Sequence, residues 1–138
     1  MHINIYLDNL NYRYDVYQMF NIFYTFHELK FVNEADIYDY KVEIGEEFIK
    51  VSSKNDSYIE KTTKDDNFKE CLKRCIFSFL TAKLKDYYPW GILVGIRPSK
   101  IALKKLNEGK TEKEIINYFE SNYLATKEKA KLCIDVAK

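Results

Sequence analysis

The sequence predicts an α+β domain, in which a small, mostly antiparallel sheet is followed by a four-helix C-terminal part. In the first half apolar residues alternate over short stretches, the period of a strand; in the second half they recur every three or four residues, the period of a helix. The 138 residues are 46% hydrophobic, so one domain with its own core is expected. We assign residues 1–66 to a sheet subdomain and residues 67–138 to a helical subdomain.

The first half predicts the element order β-α-β-β-β. The expected elements occupy residues 2–7 (strand), 14–26 (helix), and 36–44, 47–52 and 57–62 (strands). Turn-forming residues, Gly45-Glu46 and Ser53-Lys54-Asn55-Asp56, separate the last three strands. Turns this short join antiparallel neighbours, so these three strands should form a meander.

Four helices are expected in the second half. Asn67 with Glu70, and Thr111 with Glu114, have the spacing of a capping box, in which each side chain bonds the other residue's backbone N–H. Pro98 suits the first turn of a helix. The expected helices occupy residues 67–87, 98–108, 111–123 and 126–138. The last helix stays apolar close to the final residue, which indicates a piece of a longer protein.

The formal net charge of +1 conceals an asymmetry along the chain. Residues 1–66 hold 7 Lys and Arg against 13 Asp and Glu, whereas residues 67–138 hold 15 against 8. Thirteen of the 22 aromatic residues lie in the acidic part, which would repel phosphate. We therefore interpret them as sheet and core residues rather than as base-stacking platforms, and nucleic-acid binding is disfavoured.

No membrane or export segment is predicted. The longest apolar run, residues 90–96, has 7 residues, well short of the ~18 that a membrane helix needs. The N-terminus lacks the basic and apolar regions of a signal peptide. Three cysteines, an odd number, fit a reducing compartment better than a disulfide framework, so we expect a cytoplasmic protein.

The sequence offers no self-contained active site. Cys71, Cys75 and Ser78 come one thiol short of the Cys-x3-Cys-x2-Cys pattern that supplies thiolates to a [4Fe–4S] cluster. Because this stretch has helical periodicity, and converging thiolates need an irregular loop, we interpret its cysteines as core residues. His2 and His27 lack the spacing of zinc ligands. We predict no catalytic residue, no metal ligand and no cofactor within residues 1–138.

One segment, residues 89–100, holds both prolines, the only Trp and two of the four glycines. Glycine permits a close backbone approach or a positive φ, and a helix N-terminus with cationic side chains can hold an anion. The alternative is a structural joint, in which Trp90 fills the core and Arg97 bonds carbonyl or acidic groups. The candidate residues for anion binding or for a domain interface are Trp90, Gly91, Gly95, Arg97, Ser99, Lys100 and Lys104.

The same segment carries a resemblance to a known family. The matching patterns are Trp-Gly-Ile-Leu-x-Gly-Ile-Arg-Pro-Ser-Lys at residues 90–100, Gly-Lys-Thr-x-x-Glu-Ile at 109–115 and Glu-Lys-Ala at 128–130. They resemble the N-terminal region of the HemZ-type radical SAM proteins, which are coproporphyrinogen III oxidase-like (coproporphyrinogen dehydrogenase) proteins. The family has Thr at the positions of Val94 and Ser99, so Ser99 keeps a hydroxyl and Val94 lacks it.

The resemblance implies that the chain is an accessory N-terminal domain of an oxidoreductase of porphyrin and heme biosynthesis. In that family the Cys-x3-Cys-x2-Cys motif lies downstream, in a radical SAM barrel that binds a [4Fe–4S] cluster and S-adenosylmethionine. The implied partners are this barrel and a porphyrinogen substrate. Residues 1–138 by themselves, without the barrel, should then be inactive.

Two other functions stay open. Residues 109–115, followed by a short break and a helix from Thr126, loosely resemble a helix-turn-helix. The expected recognition helix offers lysines rather than the Arg, Asn or Gln side chains that read base edges. The other alternative is a protein-interaction module.

Overall fold

The computed structural model describes residues 2–33, 36–62, 68–86, 88–93 and 97–138. Two compact units make up the chain, Met1–Asp86 and Tyr87–Lys138. In the described residues the first unit contains a five-stranded sheet with two α-helices, and the second contains three α-helices. The predicted α+β class is therefore confirmed.

Each unit is built from helices and strands that are consecutive in the sequence. The first unit contains β1 (His2–Leu7), a short 3-10 turn (Leu10–Tyr12), α1 (Arg13–Phe23), β2 (Glu28–Val32), β3 (Tyr40–Ile44), β4 (Phe48–Ser52), β5 (Ser57–Lys61) and α2 (Phe68–Leu84). The second unit contains α3 (Pro98–Asn107), α4 (Glu112–Tyr123) and α5 (Lys127–Ala137).

The sheet is mixed, not mostly antiparallel as predicted. Its strand order is β2-β1-β3-β4-β5, with β1 parallel to both β2 and β3. The last three strands form the predicted antiparallel meander. The predicted order β-α-β-β-β was wrong by one strand. It lacks β2, which follows α1 in the structure. A helix that crosses over a sheet returns the chain in its original direction, so β2 pairs with β1 in parallel.

One face of the sheet forms the core of the first unit. Ile5 lies opposite Tyr40, and Val42 lies opposite Val51; all four side chains are buried. The ring of Phe20, from α1, lies 5.1 Å from the Tyr40 ring. Burying such side chains contributes about 1.5–3 kcal/mol each, which holds α1 on this face.

Helix α2 also packs in the first unit. The boundary between the two compact units therefore lies after Asp86, beyond the end of this helix. Its apolar stripe includes Leu72 and Cys75, both buried, and the Cys75 thiol lies 3.9 Å from the Ile49 carbonyl oxygen of β4. An amphipathic helix buries its apolar stripe against the nearest apolar surface, here the sheet. The predicted Asn67 cap lies outside the described residues.

The second unit is built from α3, α4 and α5. The predicted capping box is present: the Thr111 hydroxyl accepts from the Glu114 N–H at 3.2 Å, and the Glu114 carboxylate accepts from the Thr111 N–H at 3.0 Å. Three residues, 124–126, connect α4 to α5, with Leu124 in the left-handed conformation. Phe119 is fully buried in this unit.

Candidate functional site

The turn at residues 89–92, which precedes α3, is bonded to the connection between α4 and α5. The Ile92 N–H donates to the Tyr123 carbonyl and the Thr126 N–H donates to the Pro89 carbonyl, both at 2.8 Å. Gly91 lies between these bonds with φ +58°. A Cβ at this position would lie 2.0 Å from the Tyr123 carbonyl oxygen. Gly91 is therefore needed for a close backbone approach.

Trp90 is half-buried and does not fill the core. The Lys129 ammonium lies 5.1 Å from the centre of its ring, a cation–π contact with α5. Together, Trp90 and Gly91 fix the turn to the rest of the second unit. The structural-joint alternative placed Trp90 in the core, whereas its ring is only half-buried.

The end of the 89–100 segment, together with the rest of α3, lines an open groove along this helix, which we call the α3 groove. Its volume is about 800 Å³. The lining residues are Arg97, Lys100, Ile101, Leu103, Lys104, Asn107 and Glu108. Arg97, Lys100, Ile101 and Lys104 recur at three- and four-residue spacing, which places them on one side of the helix.

The cations of the α3 groove are available to a ligand. Arg97, Lys100 and Lys104 are exposed, and none of their side chains forms a hydrogen bond or ion pair with any residue in the described ranges. The bonds predicted for Arg97 in a structural joint are therefore not found there. Glu108, the one acid among the described residues of the groove, pairs with Lys105 at 3.9 Å.

Ser99 is not among the described residues that line the groove. Ser99 is half-buried and lies about 160° around the helix from Arg97, since successive residues are separated by ~100°. Gly95 lies outside the described residues. The predicted candidate set thus divides into Trp90 and Gly91, which hold the turn, and Arg97, Lys100 and Lys104, which line the groove.

The chemistry of the α3 groove is that of binding. Three cationic side chains stand beside the apolar side chains of Ile101 and Leu103. Long cationic side chains cover apolar surface with their stems and keep the charge in water. Such a surface suits carboxylate groups attached to an apolar body, whether of a small molecule or of a protein.

No family model, no curated protein and no solved structure matches the chain. The resemblance of residues 89–138 to the HemZ-type radical SAM proteins stays a prediction. In the described residues no group of three or more His, Cys, Asp or Glu side chains is arranged to hold a metal ion. None of the described helices combines the length and apolar character needed to cross a bilayer.

The cysteines of α2 lie in a regular helix. Cys75 is fully buried, and its burial, with the nearby Glu60 and Cys71, raises the pKa of the thiol to about 12. Cys71 is half-buried and accepts from the Thr62 hydroxyl at 3.4 Å. Cys133 is buried in the second unit. The interpretation as core residues is confirmed for Cys75 and Cys133.

The environment of Cys75 predicts its reactivity. Because the thiolate is the reactive form, we expect iodoacetamide at neutral pH to label Cys71 well before Cys75, and Cys75 only when the chain unfolds. Mass spectrometry of tryptic peptides after timed labelling measures this order. Equal rates for the two cysteines in the folded protein would contradict the burial of Cys75.

Sequence reasoning missed a polar pocket at one end of the sheet, which we call the tyrosine pocket. Its volume is about 240 Å³. The lining residues are Ile3, Tyr24, Asp39, Tyr40, Ser53, Lys54, Asn55 and Lys83. The hydroxyl groups of Tyr24 and Tyr40 share a hydrogen bond. These residues are far apart in the sequence, so no local spacing could have indicated the pocket.

Proposed function

We propose that the chain is a non-catalytic accessory N-terminal domain of a radical SAM oxidoreductase similar to oxygen-independent coproporphyrinogen III oxidase. The α3 groove supports this proposal. It places three cations, which have no ion-pair partner in the described part of the chain, and two apolar side chains on one side of a helix. These residues lie within the segment that carries the resemblance.

The groove would contact the radical SAM barrel or a porphyrinogen substrate. A porphyrinogen of this class combines an apolar macrocycle with several carboxylates, and the groove offers the complementary groups for both. An acidic patch on the barrel would satisfy the same cations. The [4Fe–4S] cluster and S-adenosylmethionine would belong to the barrel, and the role of Arg97, Lys100 and Lys104 would be to bind and orient.

The helix-turn-helix alternative is less well supported. The three-residue connection between α4 and α5 suits such a motif. However, the Lys129 ammonium lies against Trp90 and Lys138 pairs with Glu112, so two lysines of the expected recognition helix already have partners. A recognition helix needs several free polar side chains to read bases.

The proposal is tested on the complete reading frame that contains residues 1–138. We expect a downstream Cys-x3-Cys-x2-Cys motif, and reductive cleavage of S-adenosylmethionine by the reconstituted protein but not by residues 1–138 alone. A reading frame without this motif would overturn the proposal, as would cleavage by residues 1–138.

The groove itself is tested by charge reversal. Arg97→Glu with Lys104→Glu should lower turnover of coproporphyrinogen III by roughly tenfold or more, since a lost ionic contact costs about 1.5–3 kcal/mol. The absorbance of the iron–sulfur cluster should stay unchanged. The matched control, Lys110→Glu with Lys113→Glu, makes the same charge change outside the groove. Equal losses in both variants would show that the groove has no specific role.

A further inference from the structure

The tyrosine pocket contains polar groups whose hydrogen-bonding capacity is not used within the described part of the chain. Tyr40 is 4% exposed, and its hydroxyl is bonded to that of Tyr24. Two phenols carry two protons, and one hydrogen bond between them uses only one. No other described group bonds either hydroxyl, so one phenol proton is left to donate into the pocket.

The pocket has a second unused hydroxyl. The Ser53 side-chain oxygen is buried and has no hydrogen-bond partner among the described residues. A buried hydroxyl without a partner costs about 1–3 kcal/mol, and most such groups in proteins are satisfied. Tyr24, Tyr40 and Ser53 all line the same cavity, so the two unused hydroxyls lie on residues around one space, which indicates that the cavity receives a polar group.

The remaining lining residues indicate the charge of that group. Lys54 and Lys83 bring two ammonium groups. Lys83 also pairs with Asp56 at 2.9 Å, an exposed contact that is worth little and can be shared. Asp39 is the only acid in the described lining, and its carboxylate already accepts the Asn4 N–H at 2.8 Å. Donors therefore outnumber acceptors.

The protonation state of Tyr40 favours the same ligand. Burial and the hydrogen bond to Tyr24 raise the pKa of Tyr40 well above its usual value, so Tyr40 stays neutral and donates its proton to the Tyr24 oxygen. The proton of the Tyr24 hydroxyl is then the one left for the pocket. The C-terminal end of α1, at the Tyr24 cap, carries a partial negative charge that weakens anion binding by a modest amount. The two ammonium groups and two hydroxyl donors of the pocket outweigh this partial negative charge.

The size and walls of the pocket define the ligand further. A volume of about 240 Å³ corresponds to about eight water molecules at ~30 Å³ each. Ile3 and the tyrosine rings supply apolar wall. A carboxylate with a short carbon chain fills such a space, with its oxygens on the hydroxyls and ammonium groups and its methylenes against Ile3.

We propose that the tyrosine pocket binds a small carboxylate, held by the hydroxyls of Tyr24 and Ser53 and by the ammonium groups of Lys54 and Lys83. The site lies wholly within the first unit and shares no residue with the α3 groove. The proposal for this pocket and the proposal for the α3 groove can therefore be tested independently.

The test is an NMR titration of residues 1–138 with glutarate, with glutaramide as the uncharged probe of the same shape. We expect saturable shifts of the amide signals of Tyr40 and Ser53 with glutarate and much smaller shifts with glutaramide. A parallel titration with inorganic phosphate distinguishes a carboxylate site from a general oxyanion site. No saturable shifts with glutarate, equal binding of glutaramide, or tighter binding of phosphate would overturn the proposal.

Substitutions then locate the site. Tyr24→Phe should weaken glutarate binding roughly tenfold, the worth of one good hydrogen bond to a charged group. Tyr58→Phe, the same change at a tyrosine of the first unit outside this pocket, should leave the affinity unchanged. If Tyr24→Phe does not fold, Ser53→Ala replaces it with the same expected loss. Equal affinities for the pocket variant and the Tyr58→Phe control would overturn the assignment.

Discussion

Replacing Gly91 by alanine should strongly destabilise the second unit, lowering its free energy of unfolding by about 2–5 kcal/mol. The left-handed backbone at φ +58° costs a residue with a Cβ ~1–2 kcal/mol. The new Cβ would also lie 2.0 Å from the Tyr123 carbonyl oxygen and 2.5 Å from the Leu124 carbonyl carbon. Backbone atoms cannot rotate away as a side chain can, so the turn or the α4–α5 connection must move. Urea unfolding followed by Trp90 fluorescence measures the loss.

Gly109 provides the matched control for this substitution. It also has a positive φ, +84°, but a Cβ there would meet no atom within 4 Å. Gly109→Ala should therefore cost only the backbone term of ~1–2 kcal/mol. The difference between the two variants isolates the close approach of the turn to the α4–α5 connection. Equal losses in Gly91→Ala and Gly109→Ala would contradict that contact.

The parts of the fold that the sequence predicted well are those with local signals. The capping box at Thr111 and Glu114 marks the start of α4 because both partners lie within one helical turn. The four-residue spacing of Lys100 and Lys104 indicates a similar side of their helix, and both line the α3 groove. Strand pairing is less local. The alternation of Leu29 and Phe31 with polar neighbours is a weak signal, and β2 was missed.

The candidate site could be predicted only in part, for the same reason. The motif at residues 89–100 marked an unusual segment, but its sequence did not separate the residues that hold the turn from those that line the groove. That separation depends on the Tyr123 carbonyl, more than 30 residues away. The tyrosine pocket depends on three elements meeting at one end of the sheet, so only the fold brings Tyr24, Tyr40 and Ser53 together.

The unfolding of each unit can be followed by its own signal. Trp90, the only tryptophan, lies in the second unit, so its fluorescence reports the unfolding of that unit. Amide hydrogen exchange of β1, β3 and α1 reports the first unit, because exchange in a packed core requires the core to open. A substitution can therefore be assigned to the unit whose signal it changes. The carboxylate proposed for the tyrosine pocket should protect the amides of the first unit only.

Phe20→Ala should have the largest effect on the first unit, a loss of about 3–5 kcal/mol. Phe20 is 0% exposed, and its ring packs on Tyr40 at 5.1 Å, so its removal leaves a cavity between α1 and the sheet. Faster amide exchange in β1, β3 and α1 measures the loss, and glutarate binding at the tyrosine pocket should weaken with it. Phe26, which is 99% exposed, is the matched control, and Phe26→Ala should change stability by less than about 0.5 kcal/mol. If Phe20→Ala exchanges no faster than Phe26→Ala, α1 is not packed on the sheet through Phe20, and the Tyr24–Tyr40 arrangement that depends on this packing fails with it.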